Sequence, residues 1–237
     1  MLVVIPALNE QDSLPRVIGE VVSYVQDARI LVVDDGSRDK TSAVAVSNGA
    51  DVITLPYNLG VGGALRTGFR FAQRYGYEQM VQVDADGQHD PADIERLVAG
   101  LASADLVIGA RFAGEGDYKV GKGRRLVMRV LARLVSRHSD TVLTDVTSGF
   151  RAFGPRAIAL FAREYPSEYL GDTVEALLLA GGAGLTVRQV PVRMRPRQGG
   201  EASHSQLMAG LMLFRVLPAF VLSRHRKVLR PDEVTSK

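Results

Sequence analysis

The chain has 237 residues, 46% of them hydrophobic and 23% charged, with no cysteine and no tryptophan. That apolar share is too high for a disordered chain, the length suits one α/β domain better than two, and the lack of cysteine excludes a disulfide framework or a thiolate metal site. The net charge of +3 hides an asymmetry: residues 111–137 carry eight Arg and Lys against Glu115 and Asp117, residues 188–230 carry nine against Glu201 alone, and the remainder is acidic.

Met1 leads directly into Leu2–Ile5 and Pro6, with neither a basic leader nor a long apolar one, so no secretory signal is expected. Leu2–Ile5, Ile30–Val33, Val52–Leu55, Met80–Val83 and Leu106–Ile108 are near-continuous apolar runs, the pattern of strands covered on both faces. Amphipathic stretches of helical length lie between them, over 12–26, 38–48, 61–75 and 91–102. Asp39 or Ser37 is placed to cap the second of these, and Pro91 sits where a first helical turn tolerates proline. This βαβα rhythm predicts an α/β fold, a single doubly wound and mostly parallel sheet with helices on both faces. After residue 110 the rhythm breaks. A Gly- and charge-rich loop over 113–123 and a basic helix reaching 137 are expected, then a segment Thr144–Phe153, helices near 155–163 and 172–181, and a strand Leu185–Met194. The domain is expected to span 1–204. Residues 205–237 would form a C-terminal amphipathic helix, Gln206–Ser223, with a basic tail. That helix is short for a bilayer span and is followed by Arg224, His225, Arg226, Lys227 and Arg230, which fits an interfacial helix on anionic lipid. Packing on the sheet, or a homo-oligomer interface, is the alternative.

Open α/β sheets bind ligands beyond the carboxyl ends of their strands. The first run ends in Pro6-Ala7-Leu8-Asn9-Glu10, the second in Asp34-Asp35-Gly36-Ser37 and the fourth in Asp84-Ala85-Asp86-Gly87-Gln88-His89. Carboxylates gathered at one sheet edge repel one another unless a cation or hydrogen-bond donors serve them. An Asp-X-Asp turn offers hard oxygen ligands for Mg²⁺ or Mn²⁺ and leaves coordination positions open for a diphosphate. Taken alone, such a turn is equally a cap for the helix at Pro91. Asn58-Leu59-Gly60-Val61-Gly62-Gly63 opens the third helix, where glycines allow close approach of a ligand and a helix N-terminus favours anions; simple packing glycines are the alternative. Its spacing is not that of a dinucleotide fingerprint.

The segments PALNE, VDDGS, NLGVGGALRTGF, DADGQH, GAR and TDVTSGFRAF, in this order, resemble the family 2 glycosyltransferases of the GT-A fold. The likeness is to the branch of dolichyl-phosphate mannosyltransferase and other polyprenyl-phosphate glycosyltransferases, and it runs over residues 3–197. The resemblance implies that Pro6, Leu8 and Glu10 make the first contacts to a nucleotide, and that Asp34 or Asp35 reads its base or ribose. It implies a metal pair in Asp84 and Asp86, with Gln88 as a further ligand and Ala85 against the donor. Arg111, at the end of the fifth strand, matches a phosphate-clamping arginine, and Arg197 matches a loop arginine that closes on the donor diphosphate. The sequence after Gly200 reads Glu201-Ala202-Ser203-His204, where the family pattern has Ser-Lys or Arg-Ser-Ser. Ser148 and Arg151 are expected near the sugar or the acceptor phosphate. Lys122, Arg124 and Arg125 are expected to gather a polyprenyl phosphate at a membrane surface.

A lipid phosphate is ionised at neutral pH and needs no base, whereas a hydroxyl acceptor needs a carboxylate, for which Asp145, Asp172 and Glu175 are candidates. His89 and His204 are expected to be surface or hydrogen-bonding residues. The reading is an inverting transfer of a hexose from a UDP- or GDP-sugar to polyprenyl phosphate by a cytoplasmic protein held peripherally at the inner membrane face. A soluble hydroxyl acceptor is the alternative. Nucleic acid is not expected as a partner, because few aromatics lie among the basic residues and no binding motif is present.

Overall fold

The computed structural model describes residues 1–110, 143–166 and 172–195. Seven strands form one sheet in the order β3-β2-β1-β4-β6-β5-β7. They are β1 Leu2–Ala7, β2 Arg29–Asp34, β3 Asp51–Thr54, β4 Met80–Gln82, β5 Leu106–Ala110, β6 Arg151–Phe153 and β7 Val187–Pro191. All neighbouring pairs are parallel except those of β6, which runs antiparallel between β4 and β5. The five strands expected in the first half are all present, with ends shifted by one or two residues. Of Thr144–Phe153 only the last three residues pair, and the expected strand Leu185–Met194 is shorter, with Met194 making an isolated antiparallel bridge to His89.

Alternation along the strands sends successive side chains to opposite faces, and both faces are buried. Leu2, Val4, Leu31, Met80, Leu106 and Phe153 pack under α3 (Gly60–Arg74), α5 (Pro155–Glu164) and α6 (Asp172–Gly182). Val3, Ile5, Val32, Val81 and Val107 pack under α1 (Leu14–Tyr24), with Ala45 of α2 (Thr41–Ser47) and Leu97 of α4 (Ile94–Gly100) in the same cluster. Phe69 anchors the first layer, edge-on to Phe153 with ring centroids 4.7 Å apart. The helix expected over 91–102 instead begins as a 3₁₀ turn, Pro91–Asp93, because the Asp90 carboxylate accepts from the Ala92 amide and turns the chain before α4. Neither Asp39 nor Ser37 is the N-cap of α2, which is Lys40 without a side-chain cap; Asp39, one residue earlier, accepts from the Thr41 amide at 2.9 Å, and Ser37 serves another loop.

The antiparallel insertion decides where the later residues go. Gln82 at the end of β4 pairs with Arg151 at the start of β6. The chain preceding β6 therefore arrives at the same edge as the chain leaving β4. The tail of β7 is fastened there too. The Arg195 amide donates to the Gln88 carbonyl at 2.9 Å, and the Arg193 amide donates to Asp93 at 2.9 Å. The Arg195 guanidinium bridges Asp90, at 2.7 Å, and Glu20 of α1. Burial opposes ionisation of Glu20, but Arg16 and Arg195 outweigh it and hold its carboxyl below the ordinary range.

A carboxyl whose native pKa is depressed contributes stability above its unfolded pKa and loses it as pH falls through the native value. Glu20→Gln is expected to cost about 1 kcal/mol at pH 7, a modest figure because the pair is partly solvated. The difference from wild type should vanish below the native Glu20 pKa. Urea unfolding of both proteins at neutral and acidic pH measures it.

Candidate functional site at the carboxyl edge of the sheet

The loops after β1 and β2 lie side by side and are zipped together by side chains. Asn9 donates its amide to Ser37 Oγ at 2.9 Å and receives the Arg38 amide on Oδ1 at 2.9 Å. Glu10 donates its amide to Thr41 Oγ1 at 2.9 Å, and Gln11 Oε1 accepts from the Lys40 amide at 3.0 Å. Asn9 adopts φ 56°, a left-handed turn that asparagine tolerates. Pro6, Leu8 and Glu10 line this double loop half-buried, and the Glu10 carboxylate accepts from Ser13 Oγ at 2.6 Å.

Asp34 and Asp35 are both buried here, with distinct partners. Asp34 accepts from the Ser37 amide at 2.9 Å on one oxygen and from the Ser42 hydroxyl on the other. Asp35 accepts from the Leu59 amide at 2.7 Å. Burial pushes the Asp35 carboxyl up, the Leu59 and Gly60 amides pull it back, and neighbouring Asp34 adds a smaller upward push. The anion at the N-terminus of α3 is thus one of the protein's own carboxylates. Gly62 and Gly63 are buried in packing, so the glycine-rich loop is not an open phosphate cradle. Gly36 is required where the loop after β2 passes the backbone of Tyr57: its φ is +79°, and a Cβ there would lie 2.9 Å from the Tyr57 carbonyl carbon.

The turn after β4 carries Asp84, Ala85 and Asp86. Ala85 and Asp86 are buried, and Asp86 accepts from the Gln88 amide at 3.0 Å. Asp84 is different: its side chain is 38% exposed, and its carboxylate is met by the side chains of Gln82 and His89 rather than by a backbone amide of the turn. Gln82 Nε2 donates to Asp84 Oδ1 at 3.2 Å, His89 Nε2 lies 3.5 Å from Oδ2, and the Asp84 amide donates to His89 Nδ1 at 3.0 Å. Gly149 closes the other side, where a Cβ would lie 2.9 Å from Asp84 Oδ2 and 3.0 Å from Gln82 Nε2. Among the described residues no three His, Cys, Asp or Glu side chains gather to hold a metal ion. The donor set still suits Mg²⁺ or Mn²⁺, which take a few carboxylate oxygens and complete their shell with water and phosphate. Asp84 and Asp86, with half-buried Gln88, are the residues that fit.

Across from this turn lies the loop before β6. Ser148 and Arg151, expected near the sugar or the acceptor phosphate, are both buried in it. Ser148 Oγ accepts from the Phe150 amide at 3.3 Å. The Arg151 guanidinium, 0% exposed, donates to the carbonyls of Ser148 at 2.8 Å, Val146 at 3.1 Å and Thr173 at 3.1 Å. Arg151 ties the loop to the start of α6. Asp145, a candidate base, is also buried and accepts from the Thr147 amide and hydroxyl at 3.2 Å each. Glu175 is half-buried. Gln189 of β7 clasps the same loop through Thr144 and the Asp145 carbonyl. His89 is not at the surface but almost fully buried, and hydrogen-bonded. The contributions of Gln82, Gln189 and Arg195 were absent from the sequence reading, because a polar residue in or just beyond a strand carries no signal of which loop it will hold. Arg111, Lys122, Arg124, Arg125, Arg197, His204, the helices expected near 122–137 and 206–223, and the loop over 113–123 lie outside the described residues.

The model of the family described as glycosyl transferase family 2 matches residues 2–161. The chain belongs to that family. It is a glycosyltransferase, and the expectation drawn from the motifs in series holds. Among its relatives is an undecaprenyl-phosphate mannosyltransferase of Micrococcus luteus, 34% identical over 219 residues and covering 89% of each chain. A polyprenol monophosphomannose synthase of Mycolicibacterium smegmatis is 32% identical over 241 residues, covering 97% of this chain and 91% of that protein. A human dolichyl-phosphate beta-glucosyltransferase is 39% identical over 224 residues, covering 84% and 68%. The solved glucosyl-3-phosphoglycerate synthase of Mycobacterium tuberculosis, in complex with Mn²⁺, uridine diphosphate and phosphoglyceric acid, superposes with a TM-score of 0.69 at 21% identity. The match covers 94% of this chain and 77% of that one. The fold is the GT-A glycosyltransferase fold.

A buried arginine serving backbone carbonyls is part of the frame, whereas one reserved for a ligand is dispensable for folding. Arg151→Met is expected to lower the unfolding free energy by about 3 kcal/mol, since it removes charged donors from buried carbonyls. Chemical denaturation measures it, and a loss confined to activity with unchanged stability would favour the acceptor role instead.

Proposed function

We propose that the protein is a metal-dependent, inverting glycosyltransferase that moves a hexose from a GDP- or UDP-sugar to a polyprenyl phosphate at the cytoplasmic face of a membrane. The observation that carries this reading is the Asp84–Asp86 turn, with one carboxylate still open, in a chain 34% identical to an undecaprenyl-phosphate mannosyltransferase over 89% of its length. Pro6, Leu8 and Glu10 would hold the nucleoside against the pre-zipped double loop. Asp35 is better placed than Asp34 to read the base or ribose, because hydrogen bonds from Ser37 and Ser42 already engage both Asp34 oxygens. A divalent cation on Asp84, Asp86 and Gln88 would neutralise the donor diphosphate and the charge left on it as the sugar departs.

A lipid phosphate oxygen attacks the anomeric carbon from the face opposite the diphosphate. The new carbon–oxygen bond forms as the bond to the nucleoside diphosphate breaks, and the configuration inverts. No general base is needed, since the attacking oxygen is already ionised. That agrees with Asp145 being buried and engaged with Thr147. By resemblance, Arg111 and Arg197 would steady the leaving diphosphate, and Arg125 with Lys122 and Arg124 would receive the acceptor phosphate. Among the described residues no helix is long and apolar enough to cross a membrane. On this reading, membrane association falls to the basic stretch within 111–137 and the segment after 205, with self-association of that segment the alternative.

The test is nucleoside-diphosphate release from a panel of GDP- and UDP-sugars with Mn²⁺ or Mg²⁺, with and without polyprenyl phosphate. Release is expected to require metal and lipid phosphate together, and to fall by at least about 10²-fold in Asp86→Ala. Release with metal that ignores the lipid phosphate would move the acceptor to a soluble hydroxyl compound.

A further inference from the structure

His89 lies one residue beyond the proposed metal-binding segment and is 3% exposed, too deep to touch a substrate. Its ring lies parallel to Phe150, with centroids 4.7 Å apart and planes 11° apart. Nδ1 accepts the Asp84 amide at 3.0 Å, so the hydrogen-bond network assigns the ring proton to Nε2. Nε2 lies 3.5 Å from Asp84 Oδ2, beyond a good hydrogen bond but close enough for an N–H dipole to orient the carboxylate. The backbone of His89 pairs with Met194. One buried ring therefore joins the turn after β4, the loop before β6 and the tail of β7.

We propose that His89 is a positioning residue that aims the Asp84 carboxylate, by accepting the Asp84 amide at Nδ1 while Phe150 holds its ring flat. The proposal rests on the reading of Asp84 and Asp86 as the metal-binding acids. Without the Nδ1 acceptor, the Asp84 amide loses its partner, and the carboxylate, left room by the missing side chain at Gly149, swings. Partners of this kind, one step removed from the metal, typically govern metal affinity by 10- to 100-fold.

Two substitutions separate the ring's packing from its acceptor. His89→Phe keeps the stack on Phe150 and loses the acceptor, whereas His89→Asn sets an amide oxygen near the place of Nδ1 and gives up the stack. Mn²⁺ binding by electron paramagnetic resonance, with UDP or GDP present and no acceptor, is the readout. His89→Phe is expected to bind Mn²⁺ about tenfold more weakly, with kcat near wild type once Mn²⁺ saturates, and His89→Asn within about threefold of wild type. Unchanged Mn²⁺ affinity in His89→Phe, or equal losses in both variants, would overturn the proposal. If His89→Phe does not fold, His89→Gln, whose amide reaches the place of Nε2 and not Nδ1, stands in for it with the same expectation. Asp86→Ala binding Mn²⁺ as tightly as wild type would remove the premise itself, and so marks failure of the metal reading apart from failure of the His89 role.

Discussion

Negative charge gathered at one edge of a sheet is the constraint around which this molecule is arranged. Asp39, Asp86, Asp90 and Asp145 each accept from the backbone amide two residues further on, and Asp34 from the amide three residues on. Such Asx-type turns let an acid satisfy itself locally and bend the chain at the same time. Asp35 is served instead by the start of α3, where the helix dipole adds to the amides. These acids are therefore partly neutralised by the loops they shape. Asp84 breaks the pattern, since the side chains of Gln82 and His89, rather than a backbone amide, meet its carboxylate and it stays partly open. That departure singles it out as the acid with capacity left for a ligand.

The antiparallel β6 is what lets a second surface reach that acid. In an all-parallel sheet the chain before a strand would lie at the far edge, away from the carboxyl ends. Reversing β6 between β4 and β5 delivers Ser148, Gly149 and Phe150 beside Gln82 and Asp84. The absence of a side chain at Gly149 and the flatness of the Phe150–His89 stack then set how closely the two loops meet. Arg151 contributes by fixing the loop's carbonyls from inside, which explains why so polar a residue is wholly buried.

Much of this was legible in the sequence, for identifiable reasons. Apolar runs such as Leu2–Ile5 and Ile30–Val33 signal strands covered on both faces, and the acidic turns that follow them mark the working edge. Periodicity did not reveal the reversed direction of β6, because a three-residue strand reads the same in either direction. Nor did it reveal that Arg151 and Ser148 point inward, since burial of a polar side chain depends on carbonyls brought from Val146 and Thr173 by tertiary structure. Pairing by long side chains, as in Arg195 with Asp90 and Glu20, spans 105 and 175 residues and leaves no local trace.

Both halves of the site are built before any ligand arrives, but they differ in what they leave open. On the β1–β2 side, hydrogen bonds between residues 9–11 and 37–41 fix the double loop, so the nucleoside proposed to bind there would meet a surface whose ordering entropy is already spent. The Asp84 side is equally fixed from below, through Gln82 and His89, yet its carboxylate remains 38% exposed above. A carboxylate rigid at its root and open at its tip suits a cation that must be shared with a departing diphosphate. If Asp84 and Asp86 hold such a cation, as proposed, they would supply preorganised charge that needs no reorganisation at the moment of reaction. The frame formed by β4, β6 and the tail of β7 thus does for the acid what the zipped loops do for the nucleoside.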